Sequence, residues 1–539
     1  MLHKLLSKTN LASGILQVEE AGSGTPKSCL KLLGFLTPIM FFSAGIAFGQ
    51  SATLTPVSDI GMHTVTVDVP AKYASVFPAG KTLSVQSNYT VSVFHAGGMT
   101  KPRFMTFGPG GVLYVSDMST GKVLALPDAD NNGVADAVVE AATGFSGNHD
   151  VKFYKGSMYV TEPTRIWKCT DTDGDGVYET KVIFISNIAG NETGGHTTRT
   201  VVFDSINAKV YVSVGSSCNV CRENHRAIIE QYNDDGTGRR VFSTGTRNAV
   251  GMTLHPSTNR LWANNNGSDQ QGNETPPEWI DIVRDGGFYG HPFAYGSGVW
   301  FNFAAHSDYT ALLPITAADS AKVANLMQPA ALIRAHSAPM ALEFLDSKSS
   351  AAMKYGFLTA LRGSWNTTAP NNFRGFKVIY GHLSSEADTT VDYVADFCTG
   401  FLTDTVARVY WGRPVGIAIA DNGKVYISSD ESNKFILVLT PKTGTGMKNV
   451  NSSGAQIGAI YPNPVKNQFT ISLNLKSAAK VTATLYDISG REIKSLIAQN
   501  FSGGSHSQQI DIKNLPAGTY LVKITADNTT VTQKIIVEK

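Results

Sequence analysis

The pentapeptide Gly111-Val112-Leu113-Tyr114-Val115 is the first of six similar segments in this chain of 539 residues. Each segment begins at a small or polar turn residue and continues with apolar and aromatic residues, a pattern typical of a β-strand. The other five are Gly156–Val160, Ala208–Val212, Asn259–Ala263, Tyr355–Thr359 and Gly423–Ile427. The first four start about 45 to 52 residues apart, a spacing that fits one four-stranded blade for each repeat.

A second short β-rich run precedes these segments, for example Phe104–Phe107, Thr200–Phe203 and Val415–Ile419. Paired strands at a regular period indicate a propeller, whereas a sandwich needs no such period. The sequence therefore predicts an all-β protein with a six-bladed β-propeller over residues 85–440. Residues 50–84 are expected to form a lead-in segment.

The composition changes after Thr440. Residues 441–457 are rich in Gly, Ser, Thr and Asn and are predicted to be a linker. Alternating apolar and polar stretches follow in residues 458–539, such as Phe469–Leu473 and Tyr520–Ile524, and predict a small C-terminal β-sandwich.

Three motifs in this last segment resemble the C-terminal sorting domain of the type IX secretion system. They are Tyr461-Pro462-Asn463-Pro464, Leu485–Arg491 and Leu515–Tyr520. The resemblance implies export across the outer membrane, with the type IX secretion machinery as a partner. It carries no implication for catalysis.

The N-terminus has a long apolar run, Leu32–Ile46, preceded by Lys27 and Lys31. Small residues at Ala47 and Gly49 suit signal-peptide cleavage, so residues 1–49 are interpreted as an N-terminal extension with a signal peptide and the mature chain is expected to start at Gln50. A membrane anchor is the alternative, but the proline within the run and the small-residue exit favour cleavage. We therefore expect a secreted or cell-surface protein with no permanent membrane span.

The charge balance points away from polyanionic partners. The formal net charge is +2 and charged residues make up 16% of the chain, so neither nucleic acid nor an anionic membrane is predicted to bind. Cys218 and Cys221 form a Cys-x-x-Cys pair without a following His or a second close pair, and a disulfide is the favoured interpretation for an exported protein.

Cationic and imidazole side chains stand just ahead of the predicted strand pairs. The set is Arg103, His149, His196, Arg247, His336 and Arg413. Because equivalent strands of a propeller start at the same end of its channel, these side chains are predicted to converge into a funnel for an anionic ligand. The structural alternative is that they cap strands and tie blades together through backbone carbonyls.

Several motifs occur in a fixed order along residues 85–440: His196–Thr200, Val214-Gly215-Ser216, Gly245–Gly251, Asp285–Pro292 and Gly412–Gly416. Together they resemble the L-sorbosone dehydrogenases and, more distantly, the soluble glucose dehydrogenases, which are sugar dehydrogenases that depend on pyrroloquinoline quinone (PQQ). The resemblance implies PQQ and calcium as cofactors, a small sugar as substrate and an external electron acceptor.

The resemblance also implies roles for individual residues. His196 matches the general base, and Arg247 matches the arginine beside the reacting quinone oxygen. The implied cofactor-binding residues are Asn248 and Arg413, with Arg103 and Arg362 as candidates to hold PQQ carboxylates and His336 as a further member of the cationic set. Gly195 departs from the pattern, because the glucose enzymes have an acidic partner for the base there.

Calcium is expected at two kinds of place. The resemblance implies that the carbonyls of Gly267 and Ser268 hold the ion that polarises the quinone. Separately, Asp171, Asp173 and Asp175 space oxygen ligands at alternate positions, as calcium loops do, and a similar segment starts at Asp128. The alternative for both segments is an Asp- and Gly-rich turn between blades.

These observations favour a secreted PQQ-dependent oxidoreductase that oxidises an aldose, a sugar aldehyde or a related polyol by hydride transfer to the quinone. Two alternatives stay open at this point. One is a non-catalytic propeller that binds glycans or proteins, and the other is a calcium-dependent lactonase-like hydrolase. A base at His196 together with Arg247 and Asn248 distinguishes the enzyme from a binding module, and acidic ligands at the channel mouth would favour the hydrolase.

Overall fold

The computed structural model describes residues 60–349, 353–368, 373–442, 456–457, 460, 465–475, 477–487, 491–526 and 529–538. The predicted signal peptide, the membrane-anchor alternative, Gln50 and most of the predicted linker lie outside these residues. The sorting-domain motif that begins at Tyr461 lies outside them as well.

Four consecutive strands form each of the first three sheets, and all pairings are antiparallel. Sheet 1 contains Pro102–Phe107, Leu113–Asp117, Lys122–Leu126 and Val139–Thr143. Sheet 2 contains Val151–Tyr154, Ser157–Thr161, Ile166–Thr170 and Thr180–Ile185. Sheet 3 contains Val201–Asp204, Lys209–Val214, Ile228–Asn233 and Arg240–Thr244.

The next three sheets repeat this plan, and sheets 5 and 6 also include strands from the N-terminal side. Sheet 4 contains Met252–Leu254, Leu261–Asn265, Glu278–Ile282 and Ala331–Ile333. Sheet 5 contains Pro339–Phe344, Phe357–Leu361, Lys377–His382 and Tyr393–Thr399, extended by Thr82–Gln86 and Met62–Thr66. Sheet 6 contains Pro414–Ile419, Val425–Ser429 and Phe435–Pro441, and Tyr89–Ala96 is its fourth strand.

The first strands of the six sheets contact one another in a closed cycle. Each contacts the first strand of the next sheet, and the first strand of sheet 6, Pro414–Ile419, contacts that of sheet 1, Pro102–Phe107. An apolar cluster lies between each pair of neighbouring sheets, including the pair formed by sheets 6 and 1. The cycle therefore brings the starts of the first strands together.

The six repeated segments coincide with the second strands of the six sheets. The fourth residue of each segment packs into the cluster shared with the following sheet, which explains why a large apolar or aromatic residue recurs there. These residues are Tyr114, Tyr159, Tyr211, Trp262, Leu358 and Tyr426.

Helices are short in the part of the chain that the structure describes. Two α-helices, Ser307–Thr310 and Ala317–Ala324, lie between the third and fourth strands of sheet 4, where Ala294–Tyr295 also pairs with Val299–Trp300. Single 3₁₀ turns occur at Ala71–Tyr73, Pro109–Gly111, Ile188–Asn191 and Asp346–Lys348, and Leu402–Asp404 pairs with Val409–Tyr410. The all-β prediction is confirmed.

None of the helices in the described residues is both long enough and apolar enough to cross a bilayer.

The C-terminal residues form two further antiparallel sheets around one apolar core. One sheet contains Gln456–Ile457, Gln468–Leu475 and Gly504–Asp511. The other contains Glu492–Phe501, Ala479–Asp487, Gly518–Ala526 and Thr529–Val537. The alternation seen in the sequence is explained by this core, because Phe469, Ile471 and Leu473 all point into it.

Candidate active site

A cavity of about 400 Å³ lies at the starts of the first strands. Its volume falls in the range of small-ligand sites, which is about 300–1,000 Å³. Seven of the residues singled out in the sequence line it: Arg103, His196, Arg247, Asn248, Gly267, His336 and Arg362. The lining also includes Lys101, Asp269 and Glu278, so four cations face two carboxyl groups.

His196 is held by the backbone and side chain of Ser216. Its Nδ1 lies 3.2 Å from the Ser216 carbonyl oxygen and 3.0 Å from Ser216 Oγ. A carbonyl oxygen only accepts, and Ser216 Oγ donates its own hydrogen to the Cys218 carbonyl at 2.7 Å. These partners assign the proton to Nδ1 and leave Nε2 as the nitrogen with a free lone pair.

Gly195 explains why no acidic partner precedes His196. Its φ is +65°, and a Cβ there would lie 2.6 Å from the Ser216 carbonyl oxygen and 2.4 Å from that of Ser217. A side chain is therefore excluded at this position, and Ser216 orients the imidazole instead. The Val214-Gly215-Ser216 motif contained this signal, but the sequence did not reveal that Ser216 reaches His196.

Two buried arginines fix the backbone of His196. Arg199 Nη1 and Arg226 Nη2 donate to the His196 carbonyl at 2.8 and 2.9 Å. Both side chains are fully buried, and Arg226 also donates to the carbonyls of Gly194 and Gly215. His196 is thus held in place through both its imidazole ring and its main-chain carbonyl.

Burial, followed by the positive charge of Arg247, lowers the pKa of His196 to about 3. The ordinary value is near 6.5. Because the ring gains a proton only below its pKa, His196 is neutral throughout the neutral and mildly acidic range, and no proton occupies the Nε2 lone pair before the reaction.

We expect the His196 ring to stay neutral in the apo-protein when the pH falls from 7 to about 4. Carbon NMR of the ¹³C-histidine-labelled protein measures this directly, with the His196 resonance identified by its loss in His196→Ala. A titration midpoint near pH 6.5 would contradict the partly buried, arginine-flanked environment of the ring.

Arg247 joins the cavity to two neighbouring loops. Its Nε donates to the Asn219 carbonyl at 2.9 Å, and Nη1 donates to the Gly267 carbonyl at 2.6 Å. Nη2 lies 3.1 Å from Asn219 Oδ1 and 3.3 Å from Asp269 Oδ2. Since the guanidinium is almost fully buried, these acceptors fix its position.

Asp269 and Glu278 are cavity residues that the sequence did not single out. Glu278 is buried and accepts a hydrogen bond from the Gly267 amide, and burial raises its pKa to about 7. Asp269 completes the Asn266–Asp269 loop and contacts Arg247. Carboxyl and carbonyl oxygens therefore gather around Gly267, one of the two predicted calcium ligands.

Arg103 and Arg362 share one buried carboxylate, Asp430. Arg103 Nη1 pairs with Asp430 Oδ2, and Arg362 Nε donates to Asp430 Oδ1 at 2.9 Å. Although burial by itself would raise the pKa of Asp430, the two arginines lower it, so the carboxylate stays ionised. Arg362 Nη2 also pairs with Glu431 at 2.5 Å.

Replacing Asp430 by alanine is expected to lower the free energy of unfolding by about 3–5 kcal/mol, because it leaves two arginines without their buried counterion. Urea unfolding followed by tryptophan fluorescence measures the change, since all six tryptophans lie between residues 167 and 411. The control is Glu140→Ala, which removes an ion pair with Lys122 that is 54% and 34% exposed and should cost less than about 1 kcal/mol. Equal effects of the two substitutions would contradict this account of Asp430.

Asn248 and His336 line the same cavity as His196 and Arg247. The His336 ring donates from Nε2 to the Gly272 carbonyl at 2.9 Å, and its Nδ1 lies 3.7 Å from Asp269 Oδ1. The backbone N–H of Asn248 donates to Asn265 Oδ1 at 2.9 Å. Both residues are therefore held by their surroundings with one side open to the cavity.

Three of the residues that the sequence assigns to the site do not line the cavity. The Arg413 guanidinium donates to the carbonyls of Arg362 and Gly363 at 2.9 and 2.6 Å, so it ties sheet 6 to sheet 5 and does not line the cavity. Ser268, whose carbonyl is the other predicted calcium ligand, is buried outside the lining of this cavity, and its Oγ accepts from the Tyr309 hydroxyl at 2.7 Å. His149 is buried behind Arg103, whose Nε donates to His149 Nδ1 at 3.3 Å.

The structure does not bring Asp171, Asp173 and Asp175 to the cavity. They lie between the third and fourth strands of sheet 2, on the outside of the sheet, together with Glu179. One oxygen from each of the four carboxylates lies within 4.8 Å of the others. Glu179 lies beyond the run of three alternately spaced aspartates and joins them only in the folded chain.

Cys218 and Cys221 are joined by a disulfide, as the spacing predicted. Cys169 and Cys398 are buried free thiols. Burial raises the pKa of the Cys169 thiol to about 12, so this thiol stays protonated and unreactive at neutral pH.

The arrangement combines a neutral imidazole with a free Nε2, a fixed arginine and further cations in one recess. It can bind a compact anion, take a proton from a hydroxyl group and stabilise negative charge that develops beside Arg247.

Residues 83–285 and 288–442 match the model of the TrAA12-like family, and residues 459–538 match that of the secretion system C-terminal sorting domain. A Borreliella burgdorferi protein described as uncharacterized is 23% identical over 374 residues, which are 67% of this chain and 92% of that protein.

Two solved structures are similar in fold. The iodide structure of the Trichoderma reesei Carbohydrate-Active Enzymes Family AA12 protein is 21% identical, with a TM-score of 0.55, and the match covers 66% of this chain and 97% of that one. The holo form of the pyranose dehydrogenase PQQ domain from Coprinopsis cinerea is also 21% identical, with a TM-score of 0.55, over 69% of this chain and 98% of that one.

Proposed function

Because the chain belongs to the TrAA12-like family, we propose that it is a secreted PQQ-dependent oxidoreductase that oxidises an aldose, a sugar aldehyde or a related polyol. The single observation that carries this proposal is His196, a neutral imidazole with a free Nε2 in the same cavity as Arg247. A module that only binds glycans has no use for this pair.

The cations of the cavity suit a compact quinone with several carboxylate groups. Arg103 and Arg362 would hold carboxylates, with Lys101 beside them and Asn248 as a further polar contact. Asp430 keeps both arginines oriented while it neutralises only part of their charge. The cavity volume of about 400 Å³ leaves room for a compact cofactor and limits the size of what binds with it.

PQQ supplies two-electron oxidising power when it is bound, by accepting a hydride from a carbon that carries a hydroxyl group. His196 Nε2 takes the proton of that hydroxyl group as the hydride leaves, so that the C–O bond becomes a carbonyl. Ser216 holds Nδ1–H throughout and keeps the imidazole in the productive orientation. Arg247 offers a fixed positive charge where negative charge develops.

Calcium fits the oxygens around Gly267. The Gly267 carbonyl with the carboxyl groups of Asp269 and Glu278 provides hard oxygen donors in one part of the cavity lining. The ion would polarise the acceptor oxygen and would compete with Arg247 Nη1 for the Gly267 carbonyl. A second calcium ion at Asp171, Asp173 and Asp175 stays a prediction, with Glu179 as an added ligand.

Two structural proposals accompany the activity. The six sheets are interpreted as the blades of a six-bladed propeller, supported by the closed cycle of contacts between their first strands. The ranges 85–440 and 458–539 are proposed for the catalytic and sorting domains, with Met62–Thr66 and Thr82–Gln86 as N-terminal additions to sheet 5. The match to the sorting-domain model supports a cell-surface or secreted location. The electron acceptor is then an external molecule.

The full chain, purified and mixed with PQQ and calcium, should reduce a redox dye in the presence of aldoses. Protein without PQQ, and protein loaded in the presence of a calcium chelator, serve as controls. Hydrolysis of a lactone with calcium alone, without sugar-dependent dye reduction, would replace the dehydrogenase proposal with the hydrolase. Glycan binding without either reaction would replace it with the binding module.

A further inference from the structure

A four-residue loop closed by the Cys218–Cys221 disulfide lies beside the cavity. It lies within the longer connection between the second and third strands of sheet 3, Lys209–Val214 and Ile228–Asn233. Val220, in its centre, is buried in an apolar cluster with Phe288 and Phe293, whereas both cysteines are partly exposed. The loop is therefore anchored on one side and accessible on the other.

Asn219 is the residue of this loop that faces the site. Its carbonyl accepts from Arg247 Nε at 2.9 Å, and its Oδ1 accepts from Arg247 Nη2 at 3.1 Å. The same Oδ1 accepts from the Asp269 amide at 2.8 Å. One side chain and one carbonyl thus set the position of the guanidinium and of the loop that carries Asp269.

Cys218, at the start of the loop, is connected to His196 by hydrogen bonds through Ser216. The Cys218 carbonyl accepts from Ser216 Oγ at 2.7 Å, and Ser216 Oγ is the partner of His196 Nδ1 at 3.0 Å. Ser217 next to it is fixed by Glu223, which accepts from the Ser217 amide at 2.6 Å. The loop therefore contacts Arg247 directly and also contacts Ser216, which holds the His196 ring.

We propose that the disulfide-closed loop Cys218–Cys221 positions Arg247 and His196 relative to each other, with Asn219 as the main positioning residue. The inference rests on the proposed function. Asn219 and the two cysteines do not belong to the cavity lining, so their effect passes through Arg247, Asp269 and Ser216. Because the carbonyl and the side chain of Asn219 must both aim at one guanidinium, the loop backbone has to be fixed, and the disulfide provides this restraint.

Opening the disulfide is a two-electron reduction. A dithiol such as dithiothreitol transfers two electrons and two protons to the S–S bond, closes into its own cyclic disulfide and leaves thiols at Cys218 and Cys221. The opened loop keeps its sequence but loses the restraint on Asn219. We expect reduction to lower turnover and to leave the protein folded, since the apolar clusters between the sheets do not include either cysteine.

The first test replaces Asn219 by alanine. This change removes Oδ1 and also Nδ2, which donates to the Asp269 carbonyl at 3.3 Å and to Asp308 Oδ2 at 3.2 Å, and it keeps the backbone carbonyl. We expect kcat to fall about tenfold or more, because the side chain loses its hydrogen bonds to Arg247 and to the backbone of Asp269, while KM for the sugar changes less than about twofold. The matched control is Asn224→Ala, the same change at an exposed position just outside the loop. Equal kcat values in wild type and Asn219→Ala would overturn the positioning role.

The second test reduces the apo-protein with dithiothreitol, removes the reagent under argon and then adds PQQ and calcium, so that the reagent never meets the quinone. A thiol titration should show two additional thiols, and PQQ affinity and kcat should both fall to the values of the Cys218→Ser/Cys221→Ser double variant. The same treatment should leave the double variant unchanged, and reoxidation should restore the wild type.

Full turnover and unchanged PQQ affinity in wild-type protein that carries the two extra thiols would overturn the inference alone. Failure of the untreated, oxidised wild type to bind PQQ or to oxidise any sugar would instead overturn the proposed function, and the inference with it. If the double variant does not fold, the reduced wild type, checked by its thermal unfolding midpoint, decides the question.

Discussion

His196→Ala is expected to lower kcat by about 10²–10⁴-fold, the range that a positioned general base contributes. The variant keeps Arg103, Arg247 and Arg362, which are the proposed contacts of the cofactor, so the dissociation constant for PQQ should change little. Steady-state dye reduction gives kcat, and titration of the apo-protein with PQQ gives the affinity. The separation of these two quantities distinguishes a base from a binding residue.

A matched control is His506→Ala in the C-terminal domain, which should leave both quantities at their wild-type values. Loss of PQQ binding in His196→Ala would reassign His196 to cofactor binding. Retention of most of the turnover would remove it from the chemistry altogether.

Arg247→Ala should lower kcat by about 10²–10³-fold, the usual effect of removing one group that stabilises charge in the transition state. Unlike His196→Ala, it should also weaken PQQ binding, because the cavity loses one of the four cations that face the anionic cofactor. Arg247→Lys should recover little, since one ammonium group cannot meet the acceptors on both Asn219 and Gly267.

Arg240→Ala is the control for Arg247→Ala, because Arg240 forms an exposed ion pair with Asp285 and is 43% exposed itself. Kinetic parameters and PQQ affinity should be unchanged in this variant. An Arg247→Ala protein with wild-type kcat would contradict the role of the guanidinium.

The strand pattern could be read from the sequence because each sheet needs a large apolar residue at the same place in its second strand. Tyr114, Tyr159, Tyr211 and Tyr426 all pack against the following sheet, and the third residue of the fifth segment, Phe357, faces the preceding one. The fifth segment matched the pattern least well because Leu358 occupies the position that is aromatic in the others. This requirement for a large apolar residue recurs once in each sheet, so the sequence shows it as a repeat even though the contacts between sheets are unknown at that stage.

The residues that hold the site residues in place could not be predicted from such a local pattern. Asp430 is 327 residues from Arg103, and nothing near either residue in the sequence indicates the pair. The sequence predicts a disulfide for the two cysteines around Asn219, but it gives no role to Asn219 itself. The contact of Asn219 with Arg247 depends on how the loop between the cysteines is folded. The N-terminal strands Met62–Thr66 and Thr82–Gln86 likewise carry no sign that they extend sheet 5.

The most direct test of the central claim is a single-turnover experiment without oxygen. Protein loaded with PQQ and calcium is mixed with its best aldose, either unlabelled or deuterated at the carbon that is oxidised, and the absorbance of the bound quinone is followed. We predict reduction of one quinone per protein, slower with the deuterated sugar, and no comparable reduction in His196→Ala loaded with the same amount of PQQ. An absorbance that does not respond to any sugar, or equal rates in wild type and His196→Ala, would contradict the account.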